Sequence, residues 1–180
     1  MRDGYCHQLA AGLGLDLMAW RPVAVYLDGE YWGVLELREQ QDPVYFAAHY
    51  GVEADEVAIL NGDGSIEEGV AADSQAYLNL RTYAETHDLA QPAHLAYLEA
   101  RMDLENFLRY QTSEIFLGNA DWPHNNTRMW RVRRPDSYAD RDAVPKGHDG
   151  RWRWMLFDLD LAVAHPWAGG YGENTLSYAI

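Results

Sequence analysis

A short polar segment, residues 118–126 with the sequence GNADWPHNN, carries the residue types best suited to chemistry in this chain. It places the carboxylate of Asp121, the imidazole of His124 and three carboxamides within nine residues. Two further carboxylates, Asp158 and Asp160, follow an apolar run later in the chain. Hard divalent cations prefer the oxygen ligands that carboxylates and carboxamides supply. We therefore predict that the two segments meet and hold a divalent metal against a phosphate.

The spacing between Asp121 and Asn126 gives the first segment a more specific interpretation. In a loop that follows a helix, the pattern D-x-x-x-x-N can place the Asp beside an acceptor hydroxyl while the Asn oxygen ligates a metal, as in the protein-kinase catalytic loop. Asp158, at the end of a predicted strand, would be a further metal ligand. Asp160 lies two residues later and is expected on the same face of that strand, as a second ligand or as a partner of the first.

Each part of this pattern also has an ordinary structural explanation. The D-x-x-x-x-N spacing occurs by chance in many proteins, and Asp-x-Asp after a strand can be a turn or a helix cap. We expect His124 to make hydrogen bonds within its loop and Trp122 to pack. A metal-dependent hydrolase that uses Asp158, Asp160 and His124 stays open as an alternative, because two carboxylates near an imidazole can activate a metal-bound water.

Composition bounds the class of protein. With 180 residues, of which 48% are hydrophobic, the chain can bury a core, and one domain is the expectation. The formal net charge of -14 argues against a nucleic-acid-binding surface, which needs clustered cations. The only lysine is Lys146, so the rest of the sequence offers no lysine to hold nucleotide phosphates.

The single cysteine, Cys6, excludes an internal disulfide and a cysteine-based metal site. We expect it to pack on a helix face. No run approaches the roughly 20 apolar residues of a membrane span, and the residues after Met1 do not resemble a signal peptide.

Hydrophobic periodicity predicts that hairpins and helices alternate along the chain, which is typical of an α+β fold. The strongest signal is Asp28-Gly29, because both central positions of a type I′ hairpin turn need a positive φ. From Val34 the return strand alternates apolar and charged residues, as a half-buried strand does. The predicted strands are residues 23–27, 31–38, 57–60, 127–132 and 151–157. The predicted helices are residues 2–13, 43–49, 72–89, 92–102 and 104–117.

Several local features of these elements are also predicted. Asp73 or Ser74 would cap the helix after residue 71, and residues 61–64 form a hairpin turn in preference to an anion cradle. Residues 135–150 are polar and are expected to form an exposed loop. Asp103 is predicted to cap the helix that follows it, and this helix would bury a stripe formed by Leu104, Phe107, Leu108, Ile115 and Phe116. In helix 2–13, the apolar residues that recur on one face are Tyr5, Leu9 and Leu13.

Three segments resemble the spore coat protein H (CotH) kinase family. They are residues 21–39 (RPVAVYLDGEYWGVLELRE), 118–126 (GNADWPHNN) and 154–161 (WMLFDLDL), and they occur in the family's order. The resemblance implies an atypical protein-kinase-like fold, with a β-hairpin N-lobe remnant at residues 1–65 and a mainly helical C-lobe at 66–180. It also implies transfer of the ATP γ-phosphate to Ser or Thr hydroxyls of coat or surface proteins.

The resemblance assigns a role to each matching residue. Asp121 would be the catalytic-loop Asp, while Glu39 and Asn125 would lie near the nucleotide. The residues implied to hold Mg²⁺ or Mn²⁺ are Asn126, Asp158 and Asp160. The implied partner is a protein substrate and not a nucleic acid, and the implied location is the spore coat, the cell surface or the exterior of a bacterium.

Two departures from the family keep a second function open. Family members have further strands with basic residues upstream of the segment that Met1-Arg2-Asp3 resembles, so we expect a partial domain. Asn61 stands where some members have a lysine after a short strand. A catalytically inactive pseudokinase that organises a coat or surface layer is therefore the alternative.

Overall fold

The computed structural model describes residues 1–135, 141, 143–166, 172 and 174–178. These residues form five α-helices and two antiparallel sheets, which confirms the predicted α+β class. None of the described helices combines the length and the apolar character needed to cross a membrane. The strands are β1 (Trp20–Leu27), β2 (Glu30–Arg38), β3 (Val57–Asn61), β4 (Ile66–Glu68), β5 (Arg128–Val132) and β6 (Arg153–Met155). The helices are α1 (Arg2–Leu9), α2 (Pro43–Tyr50), α3 (Ala71–Thr86), α4 (Pro92–Glu99) and α5 (Leu104–Leu117), with short 3-10 helices at Ala54–Glu56 and Thr175–Tyr178.

Strands β1 and β2 form the predicted hairpin, and among the described strands they pair only with each other. Asp28 and Gly29 have φ values of 49° and 86°, as a type I′ turn requires. The prediction of a half-buried strand is wrong, because Trp32 is 66% exposed and Leu35 is 51% exposed. Alternation buries one face of a strand only where another layer covers it, and within the described residues no layer covers this hairpin.

The second sheet has the strand order β4-β3-β5-β6 and forms the centre of the core. Ala58 and Leu60 pack on one side, in a cluster with side chains of α1, α3, α4 and α5. Val57 and Ile59 pack on the other side, against α2. The sheet therefore lies between two layers, and residues 61–64 form the predicted hairpin turn between β3 and β4. The predicted division between residues 65 and 66 falls within that β3–β4 connection and stays a prediction.

Helix α5 is attached to the edge strand β6 by several side-chain contacts, which include the Phe107–Trp154 ring contact at 4.7 Å and the Asp103–Arg153 ion pair at 3.2 Å. Asn106 accepts a hydrogen bond from the backbone N–H of Trp154 at 2.7 Å and donates one to the Trp154 carbonyl at 3.1 Å. Asp103 caps the start of the helix by accepting from the Asn106 backbone N–H at 3.0 Å, as predicted. The helix ends at Gly118, whose φ of 63° is typical of a glycine C-cap.

The buried faces of two helices differ from the predictions. Leu108 and Phe116 of the predicted stripe are exposed, Phe116 by 82%, whereas Leu104, Phe107 and Ile115 are partly buried. The helix instead buries Asn106, Tyr110, Ser113, Glu114 and Leu117. Asn106, Ser113 and one carboxylate oxygen of Glu114 each have a hydrogen-bond partner, which lowers the cost of burying them. In α1 the apolar residues Tyr5 and Leu9, together with Leu13 beyond its end, are exposed, while Asp3, Cys6 and His7 are buried. Burial of Cys6 agrees with its expected packing role.

The start of α3 also departs from the prediction. Val70 is the N-cap residue, and Asp73 is the third helical residue, accepting from the Val70 backbone N–H at 3.0 Å. Asp73 is buried and additionally pairs with Arg131 and Arg133, each at 3.0 Å. These cations explain why the carboxylate is buried although it belongs to the first turn of the helix.

The polar stretch predicted as an exposed loop is partly buried, although residues 136–140 and 142 lie outside the described residues. Asp149 is buried because the guanidinium of Arg153, also buried, donates to both of its carboxylate oxygens at 2.8 and 2.6 Å. Burial alone would raise the pKa of Asp149, but hydrogen bonds and charge from Arg153, with help from Arg151, lower it to about 2.

Replacing Asp149 should destabilise the fold. We expect Asp149→Asn to lower the free energy of unfolding by about 3–5 kcal/mol at pH 7, because it removes the buried carboxylate that accepts from two Arg153 nitrogens. Among the described residues, Asp103, 3.2 Å from Arg153, would be the remaining carboxylate partner of this buried charge. Urea denaturation measures this loss. The exposed acid Glu85 provides the matched control, and Glu85→Gln should leave the free energy of unfolding unchanged.

The Asp149–Arg153 pair also determines the direction in which stability changes with pH. The folded pKa lies below the ordinary Asp value of 3.8, so the folded state binds fewer protons, and stability falls as the pH drops from that value towards 2. The Asp149→Asn variant should lack this part of the acid transition. An unchanged acid transition in the variant would contradict the assignment.

Candidate functional site

The loop after α5 brings Asp121, Asn125 and Asn126 into direct contact. Asn125 donates its side-chain N–H to Asp121 Oδ1 at 2.9 Å, and Asn126 donates to Asp121 Oδ2 at 2.8 Å. Asn126 has a φ of 55°, a left-handed conformation that Asn tolerates better than most residues. The spacing of five therefore folds the two amides around one carboxylate. Because Asn126 Nδ2 faces Asp121, its Oδ1 is left as an acceptor for another group.

Asp158 lines the same cleft as Asp121 and Asn126. This cleft has a volume of about 890 Å³ and lies between the α5–β5 loop and the β3–β4 turn. The backbone of Asp158 is also left-handed, with a φ of 53°, which is costly for a non-glycine residue and frequent at functional sites. The structure thus brings together the two polar segments that the sequence predicts to meet.

Asp160 reaches this neighbourhood in a different way from the one predicted. Strand β6 ends at Met155, because the next backbone N–H, that of Leu156, donates to the Asp16 carbonyl at 3.3 Å. Asp158 therefore lies in a loop and Asp160 in a turn. The prediction that they share one face of a strand is wrong. Asp160 is exposed but still lies close enough to Asp158 to act on it electrostatically.

The carboxylates of the cleft repel one another. The pKa of Asp158 is raised first by burial, then by Asp160 and then by Asp121, while Arg38 opposes the rise. A bound cation would relieve this repulsion. Within the described residues, no group of three or more His, Cys, Asp or Glu side chains is arranged to hold a metal ion.

These donors suit an ion such as Mg²⁺ or Mn²⁺, which needs few protein ligands, better than an ion whose whole coordination shell comes from the protein. Mg²⁺ is usually held by one or two carboxylates, with water and substrate phosphate oxygens completing its shell. Asn126 Oδ1 and the Asp158 carboxylate are suitable hard oxygen donors, with Asp160 as their neighbour. The role of these three residues as ligands stays a prediction.

A smaller cavity of about 340 Å³ adjoins the other side of Asp158. Glu39 lines it and is fixed by the Ala19 backbone N–H at 2.8 Å and by His49 Nε2 at 3.1 Å. This location is compatible with the nucleotide-pocket role that the resemblance implies for Glu39. Asn125, the other residue implied to contact nucleotide, lies in the larger cleft.

Two arginines line the smaller cavity together with Asp158, and the sequence analysis missed both. Arg38 ends β2 and pairs with Asp3 of α1, while Arg128 begins β5 and pairs with Glu67 at 2.6 Å. The Arg128 guanidinium lies 3.6 Å from the centre of the Phe157 ring, just before Asp158. Arg38 lies within the quoted segment 21–39, which could have suggested it, but Arg128 carries no comparable signal.

Asp3 is the third residue that the sequence analysis missed. It is buried, pairs with Arg38, and accepts a hydrogen bond from the Leu159 backbone N–H at 2.8 Å. It therefore connects the end of β2 to the loop that carries Asp158. Its position in Met1-Arg2-Asp3, a segment noted for its resemblance to the family, was the available signal.

The structure gives little support to a role for His124. His124 lies in the cleft wall and is exposed, and its ring centre lies 6.3 Å from that of Tyr178. Among the described residues it makes no hydrogen bond, so the expected loop hydrogen bonds are not found, and nothing joins it to Asp158. Trp122 is 2% exposed and packs in the core, as expected.

Comparison with known proteins identifies the family. No curated protein matches the chain. The profile of the family described as CotH kinase protein matches residues 1–178, which is nearly the whole chain. The chain therefore belongs to the CotH kinase family.

Proposed function

We propose that this chain is an atypical, kinase-like domain that transfers the γ-phosphate of ATP to a Ser or Thr hydroxyl of a coat or surface protein. The observation that carries the proposal is the meeting of Asp121, Asn126 and Asp158 in one cleft. Membership of the CotH kinase family supports phosphate transfer as the reaction class. Action at a bacterial spore coat or cell surface is the corresponding proposal for location.

Asp121 is the residue proposed to act on the acceptor hydroxyl. The two neighbouring amides hold its carboxylate in place, and each carboxylate oxygen has a further lone pair for an incoming hydroxyl. The carboxylate would orient that hydroxyl and accept its proton as the hydroxyl oxygen bonds to the γ-phosphorus, while the bond from the γ-phosphorus to the β-phosphate oxygen breaks and ADP leaves. Mg²⁺ or Mn²⁺, when bound by Asn126 and Asp158, would neutralise charge on the phosphates.

Arg38 and Arg128 are proposed to take the place of the missing phosphate-binding lysine. A guanidinium carries five N–H donors, so each of these arginines keeps further donors after pairing with one carboxylate, Arg38 with Asp3 and Arg128 with Glu67. Both line the cavity beside Asp158. Lys146 donates to the Gly14 carbonyl and lines a different cavity.

The inactive pseudokinase is the second candidate, and the absence of a lysine near the cleft favours it. In that case the domain would bind nucleotide, or only a protein partner, without turnover. Measurement of ATP binding and of phosphate transfer on the same preparation separates the two candidates. The metal-dependent hydrolase has less support than either candidate, because among the described residues nothing joins His124 to Asp158.

Removing the carboxylate of Asp121 or of Asp158 should reduce phosphate transfer to a small residual rate. In the full-length protein, we expect Asp121→Ala and Asp158→Ala each to lower the rate by about 10²- to 10⁴-fold, the range for a positioned acid–base group or an electrostatic contact. Radiolabelled ATP measures the rate, and circular dichroism checks that each variant is folded. The exposed Asp88, outside the cleft, supplies the control variant Asp88→Ala.

Activity that survives either substitution would remove the role assigned to that residue. An unaltered protein that binds Mg-ATP, seen as a thermal shift that needs both ligands, but transfers no phosphate would support the pseudokinase.

The two arginines should contribute to nucleotide affinity. We expect Arg38→Ala and Arg128→Ala each to raise the Kd for Mg-ATP about 10- to 100-fold, because a hydrogen bond to a charged group contributes about 1.5–3 kcal/mol. Titration with a fluorescent ATP analogue measures the Kd. Arg81→Ala, on an exposed turn of α3, should leave the Kd unchanged.

Because Arg38 also pairs with Asp3, Arg38→Lys provides a milder second variant. Equal Kd values for all four variants and the unaltered protein would show that the phosphates bind elsewhere.

A further inference from the structure

A buried carboxylate lies directly beneath the loop that carries Asp121. Glu114, in the last turn of α5, is 0% exposed, and so is its partner Asn119. Asn119 donates its side-chain N–H to Glu114 Oε2 at 2.9 Å, and its backbone N–H to the Glu114 carbonyl at 3.2 Å. Glu114 therefore holds Asn119 by both its side chain and its backbone.

Asn119 passes this restraint on to Asp121. Its side-chain Oδ1 accepts a hydrogen bond from the Asp121 backbone N–H at 3.3 Å. A carboxamide has one donor end and one acceptor end, so the bond from Nδ2 to Glu114 decides which way Oδ1 points. The three residues form a buried relay that ends at the backbone of the proposed catalytic residue.

We propose that Glu114 is a positioning residue, which fixes the Asn119 carboxamide and through it the backbone and carboxylate direction of Asp121. The positioning follows from the geometry alone, whereas its effect on phosphate transfer rests on the proposed function. A purely structural residue at this site would be expected to be apolar, because an unpaired buried carboxylate is costly.

The surroundings of Glu114 are consistent with this role. In the described part of the protein, no cation pairs with it, and the titratable groups that face it are Tyr110 of the same helix and Cys6 of α1. Burial raises the pKa of Glu114 to about 7, against the opposing effect of Asn119 and Tyr110. Burial also raises the pKa of Cys6 to about 11 and that of Tyr110 well above its ordinary value, so neither titrates near pH 7.

The protonation of Glu114 should therefore change the relay near neutral pH. The ionised carboxylate can only accept, which holds the Asn119 amide in the observed orientation, whereas the protonated form can donate and compete for Oδ1. Because the folded pKa lies above the ordinary Glu value of 4.5, the ionised form is disfavoured in the fold, and stability falls as the pH rises through 7. The orientation that serves Asp121 is thus held at the expense of stability.

The backbone amide of Asp121 reports on the relay without any need for activity. In ¹⁵N–¹H spectra recorded from pH 5.5 to 8.5, we expect its signal to shift with a midpoint near 7. Glu114→Gln keeps the shape and one acceptor oxygen but cannot ionise, so this titration should disappear. Glu105→Gln, an exposed position of the same helix, should leave it unchanged.

Activity and stability give the second readout, on the full-length protein. Glu114→Gln should abolish the fall in Tm between pH 6 and 8 and remove the matching limb of the pH–rate profile. Asn119→Ala should lower kcat about 10- to 100-fold with little change in the KM for ATP, because it disturbs Asp121 and not the nucleotide pocket.

An Asp121 amide that titrates identically in Glu114→Gln, or an unchanged pH–rate profile in that variant, would overturn the proposal. If Asn119→Ala does not fold, the Glu114→Gln variant alone tests whether Glu114 positions Asp121. If the unaltered protein transfers no phosphate, the proposed function fails, while the amide titration still decides whether Glu114 positions Asp121.

Discussion

The two hydrogen bonds between Asn106 and Trp154 are the constraint on which the site depends. Strand β6 lies at the edge of its sheet, and the Asn106 side chain supplies the donor and acceptor that a neighbouring strand would offer. Helix α5 leads into the loop of Asp121, and β6 leads towards Asp158. Together with the Phe107–Trp154 ring contact and the Asp103–Arg153 ion pair, this carboxamide fixes the distance between two segments that lie far apart in the chain. Because the helix is rigid over about 20 Å at 1.5 Å per residue, the restraint at its start also governs its end.

Features governed by local chemistry could be predicted from the sequence. The Asp28-Gly29 turn, the Asp103 cap and the convergence of Asp121 with Asn126 all depend on residues within a few positions of one another. The buried face of α5 could not be predicted in this way. Glu is a residue type that is mostly exposed, and the burial of Glu114 depends on the Asn119 side-chain donor, which is in place only once the following loop has folded.

The acidic half of the site was visible in the sequence, but its basic half was not. Carboxylates in a polar loop stand out from their neighbours, whereas Arg38 occupies an ordinary position in an alternating strand. Its importance comes from Asp3, which brings the guanidinium beside the loop of Asp158 through an ion pair and a backbone hydrogen bond. Contacts between residues so far apart follow from the tertiary fold, and no pattern of spacing encodes them.

The same connection gives the uncovered hairpin a mechanical property. Strand β2 is nine residues long, so its turn lies about 30 Å from its last residue at roughly 3.3 Å per residue. At that end, Arg38 is fastened to Asp3, and Asp3 to the Leu159 backbone. A load applied at the exposed turn is therefore borne at the base of the hairpin, where these two contacts also hold the loop of Asp158.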